Sequence, residues 1–355
     1  MTFFTGQSRR GARSLAGWAT LSLFLIALGG VFLLPTGFVI ERPGQVFNVM
    51  GEINQKPVIF SEDLEVYPSE SRFDITTVSL VGNREATPNW VQVLLAWADP
   101  KQIVLPLDEV YPPNRSTAEI RAESTAQMEI SQQDAIAVAL KDLGYEVPRN
   151  LYISSVLEGT PASKLLIAGD LIFEAGGVEV TTFDELRSQI QLSEGEPMVI
   201  AVIRDGATLD VEITPELRDE AYVIGALVGY TYDFPATVNL QLGDVGGPSG
   251  GLMFSLGIID ALTPGSLAGD NHVAGTGTIS PSGEVGPIGG IDLKMIAAKD
   301  SGATLFLAPF ENCDEVVGAI PSGLSVVAVR DLSEAKSAVE ALATGQSLPA
   351  LGCTN

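Results

Sequence analysis

One serine of the chain stands in a turn built from glycine and proline. Ser249 lies within the segment GGPSGG, residues 246–251, and the apolar residues that follow predict a helix. Small neighbours give a substrate access to the hydroxyl, and backbone N–H groups at the start of a helix can stabilise an oxyanion. The segment is also typical of an ordinary loop. A nucleophilic role for Ser249 therefore depends on a base elsewhere in the chain.

Two side chains are candidates for that base. His272 is the only histidine, and the polar turn of residues 269–272 predicts a side chain at the surface. Lys294 follows a Gly-Gly turn at the start of a predicted apolar helix. A lysine accepts a proton only when neutral, and lowering its pKa from about 10.4 to about 7 costs roughly 4.6 kcal/mol. The positive end of the helix and apolar neighbours favour Lys294 for this role, with an ordinary solvent-facing helix lysine as the alternative.

Ser249 and Lys294 belong to a longer pattern. The segments AGTGTI (274–279), GEVGPIGG (283–290) and ATLFLAPFEN (303–312) follow the serine turn in an order that resembles the proteolytic domain of Lon proteases. This resemblance covers several separate motifs in one order, so it is more specific than any single segment.

The resemblance to Lon proteases implies a role for three side chains. Ser249 is the expected nucleophile, Lys294 the expected general base and later general acid, and Thr276 the expected hydrogen-bonding partner that positions the dyad. Many Lon proteases carry an acid three residues before the serine. This chain has Gly246 there, and Asp244 is displaced from that position.

The chain offers little material for cofactor chemistry. It contains one histidine, two cysteines and no G-x-x-x-x-G-K-[ST] segment. We therefore expect no metal, no cofactor and no bound nucleotide, and thus an ATP-independent enzyme. Cys313 and Cys353 are predicted to form a disulfide outside the cytoplasm, with two unpaired buried thiols as the alternative.

Residues 151–215 predict a compact β-rich module. Strand patterns alternate with turns, Thr182 and Glu185 form the pattern that caps a short helix, and the turn at 205–206 (Asp-Gly) marks a hairpin. These local signals predict a small domain of its own between two longer segments.

Two segments of this module, GTPA (159–162) and AGDLI (168–172), resemble a PDZ domain. The resemblance implies that a peptide binds as an added strand in the groove beside the helix near residues 182–190. No Gly-Leu-Gly-Phe-like carboxylate loop is recognisable before Leu151. The alternative is that the same residues serve only as strand cores and turns.

The N-terminal part of the chain is strongly apolar. Residues 15–34 carry no charge, and Arg9, Arg10 and Arg13 precede them. This pattern predicts a transmembrane helix over residues 15–35, with a cytoplasmic N-terminus and all later domains exported. A cleaved signal peptide is the alternative.

The region after this segment shows no obvious chemistry. Within residues 36–130, two runs (76–81 and 91–97) predict strands. Ser131 with Asp134 predicts the start of a helix that ends at Gly144.

Composition excludes several classes of protein. The 355 residues carry 20 Lys plus Arg against 44 Asp plus Glu, a net charge of −24. Nucleic acid is therefore not an expected partner, because phosphate binding needs clustered cations. With 46% hydrophobic residues, the chain has enough apolar material for sizeable cores.

The predicted fold class is α+β with several domains. These are a cytoplasmic tail (1–14), a transmembrane helix (15–35), a β-rich exported region (36–130), a PDZ-like domain (131–217), a Lon-type proteolytic domain (218–345) and a C-terminal tail (346–355).

This layout resembles the membrane-anchored, ATP-independent Lon-like PDZ proteases of Gram-positive bacteria. The resemblance implies a serine endopeptidase at the cell membrane that cleaves unfolded or flexible exported polypeptides. It also implies that the chain is able to form a homo-oligomer. The alternatives are an inactive PDZ/Lon-fold scaffold or adaptor, and a protein that processes only its own chain.

Overall fold

The computed structural model describes residues 18–26, 29–30, 34–113, 115–218, 220–243, 245–349 and 352–353. The chain divides into two compact units. Residues 1–139 and 238–355 form one unit, here called the discontinuous unit, and residues 140–237 form the other, here called the inserted unit.

After residue 34, the α-helices of the described residues are α1 (Trp90–Ala98), α2 (Leu107–Val110), α3 (Thr117–Asp142), α4 (Phe183–Leu192), α5 (Gly251–Ala261), α6 (Ile291–Asp300), α7 (Cys313–Val316) and α8 (Leu332–Ala343). The strands before the inserted unit are β1 (Phe38–Asn48), β2 (Glu52–Ile53), β3 (Lys56–Pro57), β4 (Ile59–Ser61), β5 (Arg72–Val81) and β6 (Ile103–Pro106). The inserted unit contains β7 (Arg149–Val156), β8 (Leu171–Ala175), β9 (Val178–Glu179), β10 (Met198–Arg204), β11 (Ala207–Ile213), β12 (Glu216–Arg218), β13 (Ala221–Val223) and β14 (Ala226–Tyr232). The strands after it are β15 (Val238–Leu240), β16 (His272–Gly275), β17 (Thr278–Ile279), β18 (Val285–Gly286), β19 (Leu305–Pro309) and β20 (Ser325–Val329).

The structure contradicts the predicted transmembrane helix over residues 15–35. Residues 18–26 and 29–30 are helical, and the remaining residues of the segment before 34 lie outside the described part of the chain. No helix among the described residues is both long and apolar enough to cross a membrane.

The main sheet of the discontinuous unit combines both ends of the chain. Its strand order is β20-β19-β16-β5-β1-β6. The strand β16 pairs in parallel with β19 on one side and with β5 on the other, and β1 pairs antiparallel with both β5 and β6. Because β16 lies between β19 and β5, its backbone groups find partners only when the N-terminal strands are present. Residues 36–130 therefore do not form a separate region.

The run 91–97, predicted as a strand, is the helix α1. Asn89 and Gln92 form a capping box at its start. Apart from Gln92 the sequence WVQVLLAWA is apolar, and such a run does not distinguish a strand from a helix by its periodicity. The prediction of a strand is wrong because the cap decides the backbone conformation here.

The helix α3 starts earlier than predicted. The Ser116 hydroxyl accepts from the Glu119 amide and the Glu119 carboxylate from the Ser116 amide, a capping box well before Ser131. Ser131 lies inside the helix, so its prediction as the cap is wrong. The predicted end is close to the observed one, since α3 ends at Asp142 and Gly144 adopts a φ of +89°.

The inserted unit is built on a sheet of order β11-β10-β8-β7-β14. The predicted hairpin is confirmed, with Asp205 and Gly206 at φ values of +51° and +79° between β10 and β11. The predicted cap of α4 is also confirmed, as a capping box between Thr182 and Glu185. The edge strand β14 lies beyond the predicted domain boundary at 217.

Candidate active site

Ser249 lies in the loop that leads directly into α5, whose N-cap residue is Gly250. The helix α3 holds this loop in two places. The Gly247 amide donates to the Ser124 carbonyl at 2.8 Å, and the Ser131 hydroxyl donates to the Pro248 carbonyl at 2.9 Å. Gly247 has a φ of +87°, which only glycine adopts at little cost. The loop is thus fixed by α3, and it presents Ser249 beside the backbone amides at the start of a helix.

The position three residues before the serine lies against α3. A Cβ atom built on Gly246 would collide with the Ser124 hydroxyl and lie 3.2 Å from the Ser124 Cβ. A side chain at this position would therefore require Ser124 to shift. Asp244, the displaced acid, lies outside the described residues.

Lys294 is buried in the first turns of α6. The residue is only 3% exposed, and its Nζ donates a hydrogen bond of 3.2 Å to the Thr276 Oγ1. Burial lowers the pKa of the Lys294 amine to about 8, while the negative charge of Glu41 acts to raise it. A solvent-facing helix lysine would have no such environment. A substantial fraction of the Lys294 amine is therefore neutral near pH 8.

Thr276 connects the lysine to the serine loop. The residue is fully buried directly after β16, and its amide donates to the Leu307 carbonyl at 3.1 Å. Its hydroxyl accepts from Lys294 and donates to the Ser249 carbonyl at 3.1 Å. The next amide, that of Gly277, donates to the same carbonyl at 2.8 Å. This network fixes the Lys294 amine relative to the backbone of the serine.

Ser249 and Lys294 line the same open cavity of about 330 Å³. Among the described residues, no hydrogen bond joins the Ser249 hydroxyl to the Lys294 amine. Catalytic hydrogen bonds of unliganded sites are often long and tighten only when substrate binds. The cavity therefore brings the predicted nucleophile and base to one space, with the Lys294 amine held by Thr276.

Much of the cavity wall comes from the N-terminal strands, for which the sequence predicts no function. Gln45 and Phe47 of β1 and residues 75 and 77–79 of β5 line it. The pairing of these strands is irregular between Pro43 and Val46, and the Thr77 hydroxyl donates to the Gln45 carbonyl at 2.8 Å. Such bulges redirect side chains and often adjoin active sites. A Pro-Gly pair inside a strand pattern is the one signal in the sequence that indicates this bulge.

Glu41 of β1 is a further charged group near the site that the sequence did not indicate. Its carboxylate abuts the start of α6, because a Cβ built on Gly290 would lie 3.4 Å from the Glu41 Oε1. Burial and the charge of Asp292 raise the pKa of Glu41, while the charge of Lys294 acts to lower it. When ionised, Glu41 stabilises the protonated form of Lys294.

His272 is not a surface histidine, so that prediction is wrong. Its Nε2 lies 2.6 Å from the Oδ2 of the fully buried Asp74, which also accepts two hydrogen bonds of 3.0 Å from Arg72. The parallel pairing of β16 with β5 places His272 opposite Arg72. His272 does not line the cavity that contains Ser249.

The strand β14 forms one of the two edges of the sheet in the inserted unit, and β11 forms the other. Among the described strands, β14 pairs only with β7, so its other side is unpaired. The Phe183 amide at the start of α4 donates to the Tyr230 hydroxyl of β14 at 2.9 Å, which holds α4 beside this edge. Phe183 and Leu227 are both about half exposed there. A free edge next to a helix is the arrangement that accepts a peptide as an added strand.

A disulfide joins Cys313 at the start of α7 to Cys353. The preceding residue, Asn312, is buried, accepts from the Ile288 amide and donates to the Ile288 carbonyl. The disulfide therefore lies next to the residue that orders the approach to α6.

Comparisons with known proteins assign two domains. Residues 243–340 match the family described as the Lon protease (S16) C-terminal proteolytic domain. Residues 152–204 match the PDZ domain family.

Individual proteins are similar to parts of this chain. Lon protease 2 of Bacillus subtilis is 38% identical over 103 residues, which are 29% of this chain and 18% of that protein. The periplasmic pH-dependent serine endoprotease DegQ of Escherichia coli is 36% identical over 76 residues, which are 21% of this chain and 17% of that protein. A solved PDZ domain of an SdrC-like protein from Listeria monocytogenes covers 22% of this chain and 85% of its own, at 25% identity and a TM-score of 0.21.

The chain thus spans less than a fifth of the length of either curated relative. The two matched ranges include the segments on which the sequence resemblance rests. Ser249 and Lys294 lie in the range that matches the Lon proteolytic domain. The chain therefore combines a region that matches the Lon protease (S16) C-terminal proteolytic domain with a region that matches the PDZ domain.

Proposed function

We propose that this protein is a serine endopeptidase that cleaves polypeptides with Ser249 as nucleophile and Lys294 as general base. The observation that carries the proposal is the state of Lys294. Its amine is buried, has a pKa of about 8, is held by Thr276, and lines the same cavity as the serine. A neutral lysine amine at this place has the proton affinity that a general base needs near neutral pH.

The chemistry proceeds in two halves. The neutral Lys294 amine accepts the proton of the Ser249 hydroxyl as its oxygen bonds to the carbonyl carbon of the substrate. Backbone amides at the start of α5 stabilise the negative charge that develops on the carbonyl oxygen. The lysine ammonium then gives its proton to the leaving amine, the peptide bond breaks, and an acyl-enzyme remains. Water attacks this ester with the Lys294 amine again as base, which releases the acid and restores the serine.

Two features support flexible polypeptides as substrates. The sequence contains no P-loop motif with which this chain would drive unfolding by nucleotide hydrolysis. The free edge of β14 beside α4 is suited to hold an extended segment of a substrate.

The disulfide between Cys313 and Cys353 supports an oxidising compartment outside the cytoplasm as the place of action.

The test compares four forms of the protein on an unfolded protein substrate between about pH 6 and about pH 10. These are the wild type, Ser249→Ala, Lys294→Ala and the matched control Lys299→Ala. Lys299 lies on the same helix but donates to the Gly323 carbonyl. We expect cleavage by the wild type and the control alone. Equal cleavage by all four forms would contradict the assignment, and no cleavage by any form would favour an inactive scaffold.

A further inference from the structure

The cavity that contains Ser249 continues along α3. A second cavity of about 470 Å³ shares Met128 and Val245 with it. A third, of about 750 Å³, shares Thr125 and Glu129 with the second. The three cavities therefore adjoin one another in a row from Ser249 to the first turn of α3 at Thr117, and together they are here called the α3 groove.

The α3 groove is lined by a helix and, in its middle part, by a hairpin and a loop. The helix α3 forms one side, and the hairpin of β2 and β3 with residues 240–243 forms the opposite side of its middle part. Small side chains of α3, at Ala118, Ala122 and Ala126, leave space at its outer end. From Met128 to Thr117 the helix rises about 16 Å, which an extended polypeptide covers with about five residues.

The charges of the groove are mixed. Lys56 and Glu129 line its middle part, and Arg121, Glu85 and Glu129 line its outer part. A surface with both signs of charge does not select an anion or a cation, and such a surface suits the mixed side chains of a polypeptide. Most of the α3 groove lies outside residues 243–340, the part of the chain that matches the Lon proteolytic domain.

We propose that the α3 groove binds the extended segment of the substrate polypeptide on one side of the bond to be cleaved. This inference rests on the proposed function, since it takes the cavity of Ser249 as the place of cleavage. The contacts of Ser124 and Ser131 with the serine loop support it, because they hold the groove and the nucleophile in one rigid arrangement.

A binding experiment tests the groove without cleavage. In the full chain with Ser249→Ala, a fluorescein-labelled unstructured peptide of about twelve residues, amidated at its C-terminus, is titrated by fluorescence anisotropy. Thr125→Trp and Ala122→Trp each place a bulky ring in the groove, and we expect each to weaken binding about tenfold or more. The matched control Gln127→Trp lies on α3, is exposed and lines none of the three cavities, so binding should be unchanged.

Circular dichroism and thermal melts show whether each variant folds. If one blocking variant does not fold, the other still tests the proposal. The proposal is overturned when neither blocking variant differs from Gln127→Trp, or when the Ser249→Ala protein binds no peptide. With an intact serine, the KM should fall as one flank of a peptide series grows, and then level off after about five residues.

These results separate the two proposals. If cleavage depends on the serine but its KM changes neither with flank length nor in Thr125→Trp, the proposed role of the α3 groove is wrong and the proposed function still holds. Peptide binding that the blocking variants weaken, without serine-dependent cleavage, would support the groove and overturn the proposed function.

Discussion

The Lys294 amine donates a hydrogen bond to the Thr276 hydroxyl, and this bond fixes the position of the amine relative to the serine loop. Thr276 reaches the loop through its own bond to the Ser249 carbonyl. An amine with four rotatable bonds would otherwise lose its position easily, since lysine side chains carry much rotamer entropy. The hydroxyl of Thr276 thus holds the amine of a flexible side chain in one position.

We expect cleavage to increase with pH through a midpoint near 8. Lys294 has a pKa of about 8, and only its neutral form accepts the serine proton. Below the midpoint the amine is protonated and the rate falls about tenfold per pH unit. The measurement is kcat/KM against pH with an unfolded substrate. A profile without this acidic limb would contradict Lys294 as the base.

The variant Glu41→Gln should shift that acidic limb to lower pH. The ionised Glu41 carboxylate stabilises the protonated Lys294, so its loss makes the amine easier to deprotonate. Asp292 is the other charged group that acts on Glu41 and stays in place. The exposed Glu52 offers a matched control, and Glu52→Gln should leave the profile unchanged. A shift of Glu41→Gln to higher pH would show that the sign of this coupling is wrong.

Loss of the Thr276 hydroxyl should reduce kcat more than it changes KM. Thr276→Val keeps the shape of the side chain but removes both the acceptor for Lys294 and the donor to Ser249. Misplacement of a catalytic group by about 1 Å can cost up to about a hundredfold, so we expect a loss between about tenfold and a hundredfold. Thr276→Ser retains the hydroxyl and should recover most of the rate. Equal loss in both variants would indicate that packing, rather than the hydroxyl, matters.

The ion pair between Arg204 and Asp170 should be important for the inserted unit. Arg204 donates bonds of 2.7 Å and 2.6 Å to the fully buried Asp170 carboxylate. Burial acts to raise the pKa of Asp170, but the bonds from Arg204 and from the Ile167 amide outweigh it, so the pKa lies below its ordinary value. Arg204→Ala leaves this charge buried without its partner and should cost about 3 kcal/mol of unfolding free energy.

Urea unfolding at neutral pH measures this cost, with the exposed Arg187→Ala on α4 as control. Because the pKa of Asp170 is lowered in the folded state, its stabilising contribution is present above its ordinary pKa and is lost as the pH falls through the folded value. The difference between wild type and Arg204→Ala should therefore shrink in acid. A difference that stays constant down to low pH would argue against the ion pair as its source.

Reduction of the disulfide should destabilise the discontinuous unit. Cys313 and Cys353 are 40 residues apart, and in the chain-entropy model a loop of this length contributes about 4 kcal/mol. We expect Cys353→Ser to lower the melting temperature, and a reducing agent to lower that of the wild type to the same value without affecting the variant. Equal melting temperatures in oxidising buffer would contradict a stabilising disulfide.

The sequence alone predicts those features that depend on short segments. The order of the glycine motifs around Ser249, Thr276 and Lys294 indicates the proteolytic domain, and the family comparison confirms it. The N-terminal cap of α4 and the Asp-Gly hairpin can also be predicted from the sequence, because side chains within four residues set the backbone conformation there. The apolar run of α1 predicts a strand but forms a helix, because a short apolar run is compatible with either backbone conformation.

Only the tertiary structure decides the environment of these residues. The sequence places Lys294 near a helix start, but its burial depends on β1, β5 and β16 packing against α6 from distant parts of the chain. In the same way, Glu41 reaches the start of α6 because β1 pairs into the sheet that ends in the C-terminal strands. The segment 15–35 has the composition of a membrane span, yet no described helix there has the length of one. Composition and motif order are properties of the chain itself, whereas the pKa of a buried amine arises from neighbours that only folding brings together.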